Sequence, residues 1–157
     1  MTTQQKDALF RLNEFCNRNK IEYALIGTCA LAILGVPSDM LPNDLDIKVY
    51  RADAEAAKKF RELGILAGLQ EKEHPDTATF TFVVNGVKVN ARLDNKIPYK
   101  DMDRELISVT LTDEAHSTRH LISVQTMQYA WAAKMKLNRP KDVKYALNVI
   151  NLLSLPQ

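Results

Sequence analysis

Between Tyr23 and Tyr50 the chain reads YALIGTCALAILGVPSDMLPNDLDIKVY, and this stretch restricts the possible folds more than any other. A short apolar strand, Tyr23 to Ile26, runs into Gly27-Thr28 and then an apolar helix, Cys29 to Leu34, closed by Gly35 and Pro37. A polar loop, Ser38 to Asn43, leads to a second strand that carries Asp44 and Asp46. Side chains alternate between the two faces of a strand, so Asp44, Asp46 and Lys48 share one face and Leu45, Ile47 and Val49 the other. The second set is wholly apolar and is expected in the core. The first directs two carboxylates toward the start of a glycine-led helix. Hard cations bind carboxylate oxygens, and free amides at a helix start attract anions.

The flanking sequence supplies the rest of a sheet and its cover. Ala8, Leu9, Leu12, Phe15 and Cys16 predict a helix from Gln4 to Asn19 with one buried face. Ala52 to Leu66 reads as a crossover helix and Gly68 to Asp76 as a polar loop. Thr77 to Val84 and Val87 to Leu93 read as strands joined at Asn85-Gly86, a two-residue hairpin signal. On the second of them Val87, Val89, Ala91 and Leu93 face one way, and Lys88, Asn90 and Arg92 the other. If this strand neighbours the aspartate strand, the polar faces form one patch with Asp44, Asp46, Asn90 and Arg92. After a polar connection, Asp94 to Arg104, a second hairpin is expected: Leu106 to Leu111, a turn at Thr112-Asp113-Glu114, and His116 to Ile122. A helix from Gln125 to Leu137 follows, with Met127, Ala130, Trp131 and Lys134 near its inner stripe. Asn138-Arg139-Pro140 breaks the chain before a last helix, Lys141 to Leu153, with Val143, Leu147 and Ile150 on one face.

Composition narrows the class. A length of 157 residues predicts one domain over 1–157, and 46% hydrophobic with 25% charged residues is ordinary for a soluble protein. The net charge of +2 does not by itself indicate a nucleic-acid or membrane partner. No apolar run approaches the roughly 20 residues of a membrane span, and the start MTTQQKDALF lacks the layout of a signal peptide. With only Cys16 and Cys29, no disulfide framework is suggested and a cytoplasmic location is expected. His74, His116 and His120 are scattered without partner cysteines, which argues against zinc.

The order Gly27-Thr28, apolar helix, Gly35, polar loop and Asp44-Leu45-Asp46 resembles the signature of the polymerase-beta-like nucleotidyltransferases. The nearest branch is that of small proteins related to lincosamide and aminoglycoside nucleotidyltransferases and to antitoxin-type relatives. The run from Lys134 to Asp142 is similar to their helix, Arg-x-Lys-Asp, helix ending. The resemblance implies an α+β fold, with a mixed β-sheet, flanking helices and C-terminal helices. It implies transfer of a nucleoside monophosphate from a nucleoside triphosphate to an acceptor hydroxyl, on a small molecule or a protein. Asp44 and Asp46 would bind magnesium, Gly27 and Thr28 would contact phosphates, and Lys134 and Arg139 would assist them. Lys48 and Arg92, on the polar faces, are further expected nucleotide contacts. The family's third carboxylate falls at Asn90, which can ligate a hard cation through oxygen but cannot accept a proton. Asp94 could replace it only if the strand bends or the register differs.

Two other readings stay open at this point. Asn90 also fits a binding module of the same fold that no longer catalyses and pairs with a toxin-like protein partner. An unrelated α+β domain with two surface aspartates is the third.

Overall fold

A computed structural model describes residues 1–36, 44–50, 59, 72–73, 77–94 and 105–154. In chain order these residues form α1 (Thr3–Arg18), β1 (Glu22–Leu25), α2 (Gly27–Ile33), β2 (Leu45–Tyr50), β3 (Lys72–Glu73), β4 (Thr77–Val84), β5 (Val87–Asp94), β6 (Leu106–Asp113), β7 (Thr118–Gln125), α3 (Met127–Leu137) and α4 (Pro140–Leu153). The expected helix Ala52 to Leu66 lies outside the described residues except for Lys59, as does the loop Ser38 to Asn43.

The strands make one mixed sheet in the order β3-β4-β5-β2-β1-β7-β6. The aspartate strand β2 lies near the middle, antiparallel to β1 and parallel to β5. Register explains why the alternating patterns agree across strands. Leu25 pairs with Ile47, Ile47 with Ala91, and Leu45 with Val89, so the apolar residues of three strands fall on one face. That face is covered by Ala8, Leu9, Leu12 and Cys16 of α1, which join Leu25, Leu45, Ile47, Val49, Phe82, Val89, Ile122 and Val124 in the main core. Each fully buried Leu, Ile, Val or Phe contributes roughly 1.5–3 kcal/mol of hydrophobic stabilisation before entropy is subtracted. The opposite face carries the polar set beside a small cluster of Ala24, Tyr50 and Leu106.

Polar contacts fix α1 on this sheet. Thr2 and Gln5 form a reciprocal cap at its start, with Gln5 N–H donating to Thr2 Oγ1 at 3.1 Å and Thr2 N–H to Gln5 Oε1 at 2.9 Å. Inside, Tyr23 donates its hydroxyl to Asn13 Oδ1 at 2.7 Å, and Asn13 Nδ2 lies 3.3 Å from His120 Nδ1. His120 is buried and stacked on Phe10, with ring centroids 4.5 Å apart.

The first hairpin follows the reading from sequence: Asn85 and Gly86 both adopt positive φ, 51° and 78°. The second differs. Its strands reach Asp113 and restart at Thr118, so the turn is two residues later than Thr112-Asp113-Glu114 suggested. Asp113 Oδ2 lies 2.8 Å from His116 Nδ1, and this contact spans the longer loop. The helix at Cys29 starts earlier than expected, taking in Gly27 and Thr28 with Ile26 as the residue before its first turn. The helix expected from Gln125 begins instead at Met127, because Gln125 ends β7 opposite Leu106.

The largest correction concerns α4. Val143, Leu147 and Ile150 were expected to share a packing face, yet they are 42%, 55% and 57% exposed. The buried residues are Asp142, Tyr145 and Val149, on an adjoining stripe, and Tyr145 and Val149 pack with Leu31 of α2 and Ala130 of α3. Two stripes of this helix have helical spacing, and the neighbouring elements select the one that carries a charge. In α3, similarly, Ala130 and Lys134 are buried and Trp131 is half-buried on the same cluster, while Met127 is 43% exposed.

Candidate functional site

Asp44 lies one residue before β2, and Asp46 sits on its polar face. The parallel ladder sets Asp46 directly opposite Asn90, and the antiparallel β4 sets Thr81 on the other side of Asn90. The Asn90 amide stands between the two acids: its Nδ2 donates to Asp46 Oδ1 at 3.1 Å and, more weakly, to Asp44 Oδ2 at 3.4 Å. Its Oδ1 accepts from the Thr81 hydroxyl at 3.0 Å. One nitrogen therefore marks a point on which both carboxylates converge. Asp94 pairs with Tyr50, two pleats or about 13 Å along the strand, so the register leaves Asn90 opposite Asp46.

The helix tip adjoins this point. Gly27 has φ +64°, and a Cβ placed on it would lie 3.9 Å from Asp46 Oδ2. A side chain there would be strained by the backbone and would narrow the space beside the acid. Asp46 also holds the tip through its backbone, accepting from Ile26 N–H at 2.9 Å. The Gly27 N–H donates to Gln125 Oε1 at 3.2 Å, a contact that the sequence reading missed because it placed Gln125 in a helix. Thr28 lies within α2 rather than before it and is half-buried. Cys29 is buried beneath, its thiol donating to the Asp44 carbonyl at 2.8 Å, and burial pushes that thiol up to about 12.

Burial pushes the Asp46 carboxyl above the usual carboxylate range. The Asn90 amide opposes the shift, the nearby Asp44 charge adds to it, and the positive fields of Lys141 and Lys134 oppose it. The helical hairpin of α3 and α4 thus reaches the acids electrostatically. Lys134 is buried, with Nζ 3.5 Å from Asp142 Oδ1 and 5.0 Å from the centre of the Tyr145 ring. Arg139 holds Asp142 from the other side, through Nε at 2.6 Å and a terminal nitrogen at 3.1 Å. Together, chiefly through the Arg139 hydrogen bond, these cations hold the Asp142 carboxyl below the usual range. Arg139 is committed to Asp142, whereas Lys141, absent from the sequence-based set, acts on Asp46. Lys88 was also missed: its Nζ is 3.8 Å from Asp44 Oδ2. Lys48 and Arg92 pair one pleat beyond Asp46 and Asn90, and the Lys48 ammonium lies 5.3 Å from the Tyr50 ring centre.

The donor set suits a hard divalent cation. Two carboxylates converge, and the NH2 end of a neutral amide stands between them. Among the described residues no group of three or more His, Cys, Asp or Glu gathers, so the charge of any such site rests on the pair. Nor is any helix among those residues long and apolar enough to cross a membrane.

No protein-family model matches the chain, and no curated protein matches its sequence. The fold has counterparts among solved structures. A protein from Thermotoga maritima, provisionally named a nucleotidyltransferase, aligns with a TM-score of 0.62 and 18% identity over 96% of each chain. A nucleotidyltransferase-like antigenic protein from Paracoccidioides brasiliensis aligns at 0.52 and 11% identity, over 98% of this chain and 77% of its own. At these identities the likeness establishes the fold: an α+β, mixed-sheet arrangement of the nucleotidyltransferase kind.

Proposed function

We propose that the chain binds a magnesium-associated nucleoside triphosphate at Asp44 and Asp46 and transfers its nucleoside monophosphate to an acceptor hydroxyl. The observation that carries this reading is the convergence of both carboxylates on one point, 3.1 and 3.4 Å from the Asn90 nitrogen, beside the Gly27 tip of α2. Asp44 and Asp46 would hold the magnesium, which when bound supplies charge neutralisation on the phosphate oxygens. Gly27 and Thr28 would line the place for phosphate, Gly27 by leaving space beside Asp46 where a side chain would intrude. Lys134 and Lys141 bring positive charge from the helices, and Asp142 with Arg139 holds Lys134 in position. Lys48 and Arg92 lie further along the strands, where they would meet the remainder of the nucleotide. The acceptor belongs to a small molecule or a protein.

Asn90 sets the expected rate. An amide accepts no proton, and general-base help is worth roughly a hundredfold to ten-thousandfold. Turnover is therefore expected to be slow. The same residue supports a second reading, in which the fold binds without catalysing and serves a toxin-like protein partner. Incubation with labelled nucleoside triphosphates, magnesium and candidate acceptors separates the two. Pyrophosphate release that Asp46→Asn lowers at least a hundredfold supports transfer. Release that is absent or unaffected by Asp46→Asn, with no nucleotide binding by calorimetry and a stable partner in pull-downs, supports the second reading.

A further inference from the structure

The Asn90 side chain faces two kinds of neighbour with opposite demands. Ionised carboxylates only accept hydrogen bonds, so the end of the amide that meets Asp44 and Asp46 is the NH2 end. The other end meets Thr81, whose hydroxyl donates to it at 3.0 Å. A hydroxyl can also accept, so Thr81 can bond either end of the amide. Turning the amide by half a revolution about its last torsion would exchange N and O without costing the Thr81 bond. It would place a carbonyl oxygen where the NH2 now stands, on the point where the two acids converge.

We infer that Asn90 is an amide switch: its NH2 holds the two acids together when no cation is present, and its carbonyl ligates the cation once one is bound. The inference rests on the reading of Asp44 and Asp46 as a cation site. A carboxylate at this position could not fill the first role, because an ionised carboxylate has no proton to donate to Asp44 and Asp46. Asparagine allows the polar face to stay assembled in the empty protein and still offers the cation an oxygen. Thr81 can bond the amide in either orientation, and so belongs to the device.

The sign of one substitution tests it. Asn90→Leu keeps the approximate volume and removes both ends of the amide. If Asn90 only bridges the acids, it competes with the cation, and its loss tightens binding. If it also turns and ligates, its loss weakens binding, by about tenfold to a hundredfold. Manganese affinity, read by electron paramagnetic resonance on the full chain without nucleotide, measures this directly. Weaker binding supports the switch, and equal or tighter binding overturns it. Should the leucine variant not fold, the Asn90 side-chain amide resonances of the wild-type protein can be followed as magnesium is added. Thr81→Val is expected to perturb them more with magnesium bound, when the NH2 faces residue 81, than without it. The reverse order overturns the switch. Absence of binding of either ion to wild-type protein would remove the cation site itself, and the switch with it.

Discussion

Asp46 and Asp142 are two carboxylates withdrawn from water within one small protein, and the fold treats them in opposite ways. Asp142, 1% exposed, is gripped by Arg139 and Lys134, and its acid form is disfavoured. Asp46 has a neutral amide, a second acid and only distant lysines, and its ionised form is disfavoured. Neutralised charge at Asp142 is architecture, since it joins the start of α4 to α3. Incompletely compensated charge at Asp46 is what a ligand can complete. The strand-built centre is thus left short of positive charge, and the helical hairpin beside it is not.

The largest effect that could break this contrast is Asp142→Ala. It leaves Lys134 buried without its carboxylate and frees Arg139, and is expected to cost about 3–5 kcal/mol in urea unfolding. A loss below about 1 kcal/mol would mean the hairpin does not depend on the cluster. Asp46→Asn should go the other way, stabilising the unliganded protein by about 0.5–2 kcal/mol while removing cation and nucleotide binding. An unchanged or lower stability would count against the picture of an under-compensated acid.

Acidity sharpens the same contrast, and the two signs oppose. The folded-state value of Asp142 is lowered, so its contribution is present above the unfolded value of about 3.9 and is lost as pH falls through the folded value. That of Asp46 is raised, so the protein gains stability on acidification through the folded value down to about 3.9. The advantage of Asp46→Asn over wild type should therefore vanish near pH 4 and grow as pH rises through the Asp46 range. Paired denaturation series across acidic to neutral pH check this, and a constant difference would contradict it. The smallest effect is at the outward stripe of α4, where Leu147→Ser is expected to change stability by less than about 0.5 kcal/mol. A loss of 2 kcal/mol or more would show that this stripe is covered in solution.

How much of the site could be read in advance follows from these elements. That Asp44, Asp46 and Asn90 share one polar face was legible because a strand offers only two faces, and burial of Leu45, Ile47, Val49, Val89 and Ala91 assigns the other to the core. Lys141, Lys88 and Gln125 were not. Lys141 acts across space from another element, Lys88 meets Asp44 only through the β2–β5 register, and Gln125 reaches Gly27 from a strand 98 residues away. Arg139, singled out for phosphate, also meets Asp142 three residues on, a contact that no periodicity announces. On α4 the apolar residues at helical spacing marked a face but not the packed one, because Asp142 carries its own counter-ions inward.

By itself the amino-acid sequence determined the strands other than β3, which falls in the stretch Gly68 to Asp76 expected as a loop, together with their two faces, the Asn85-Gly86 turn and the pairing of two acids with a glycine-led helix. Each of those is a local consequence of backbone preference and of a period of two. Tertiary structure alone decided that Asn90 stands between the acids, that Gln125 meets the Gly27 amide, and that α4 buries its charged stripe. Those outcomes depend on strand register and on which neighbour a helix meets, and neither is encoded in the periodicity of a single segment.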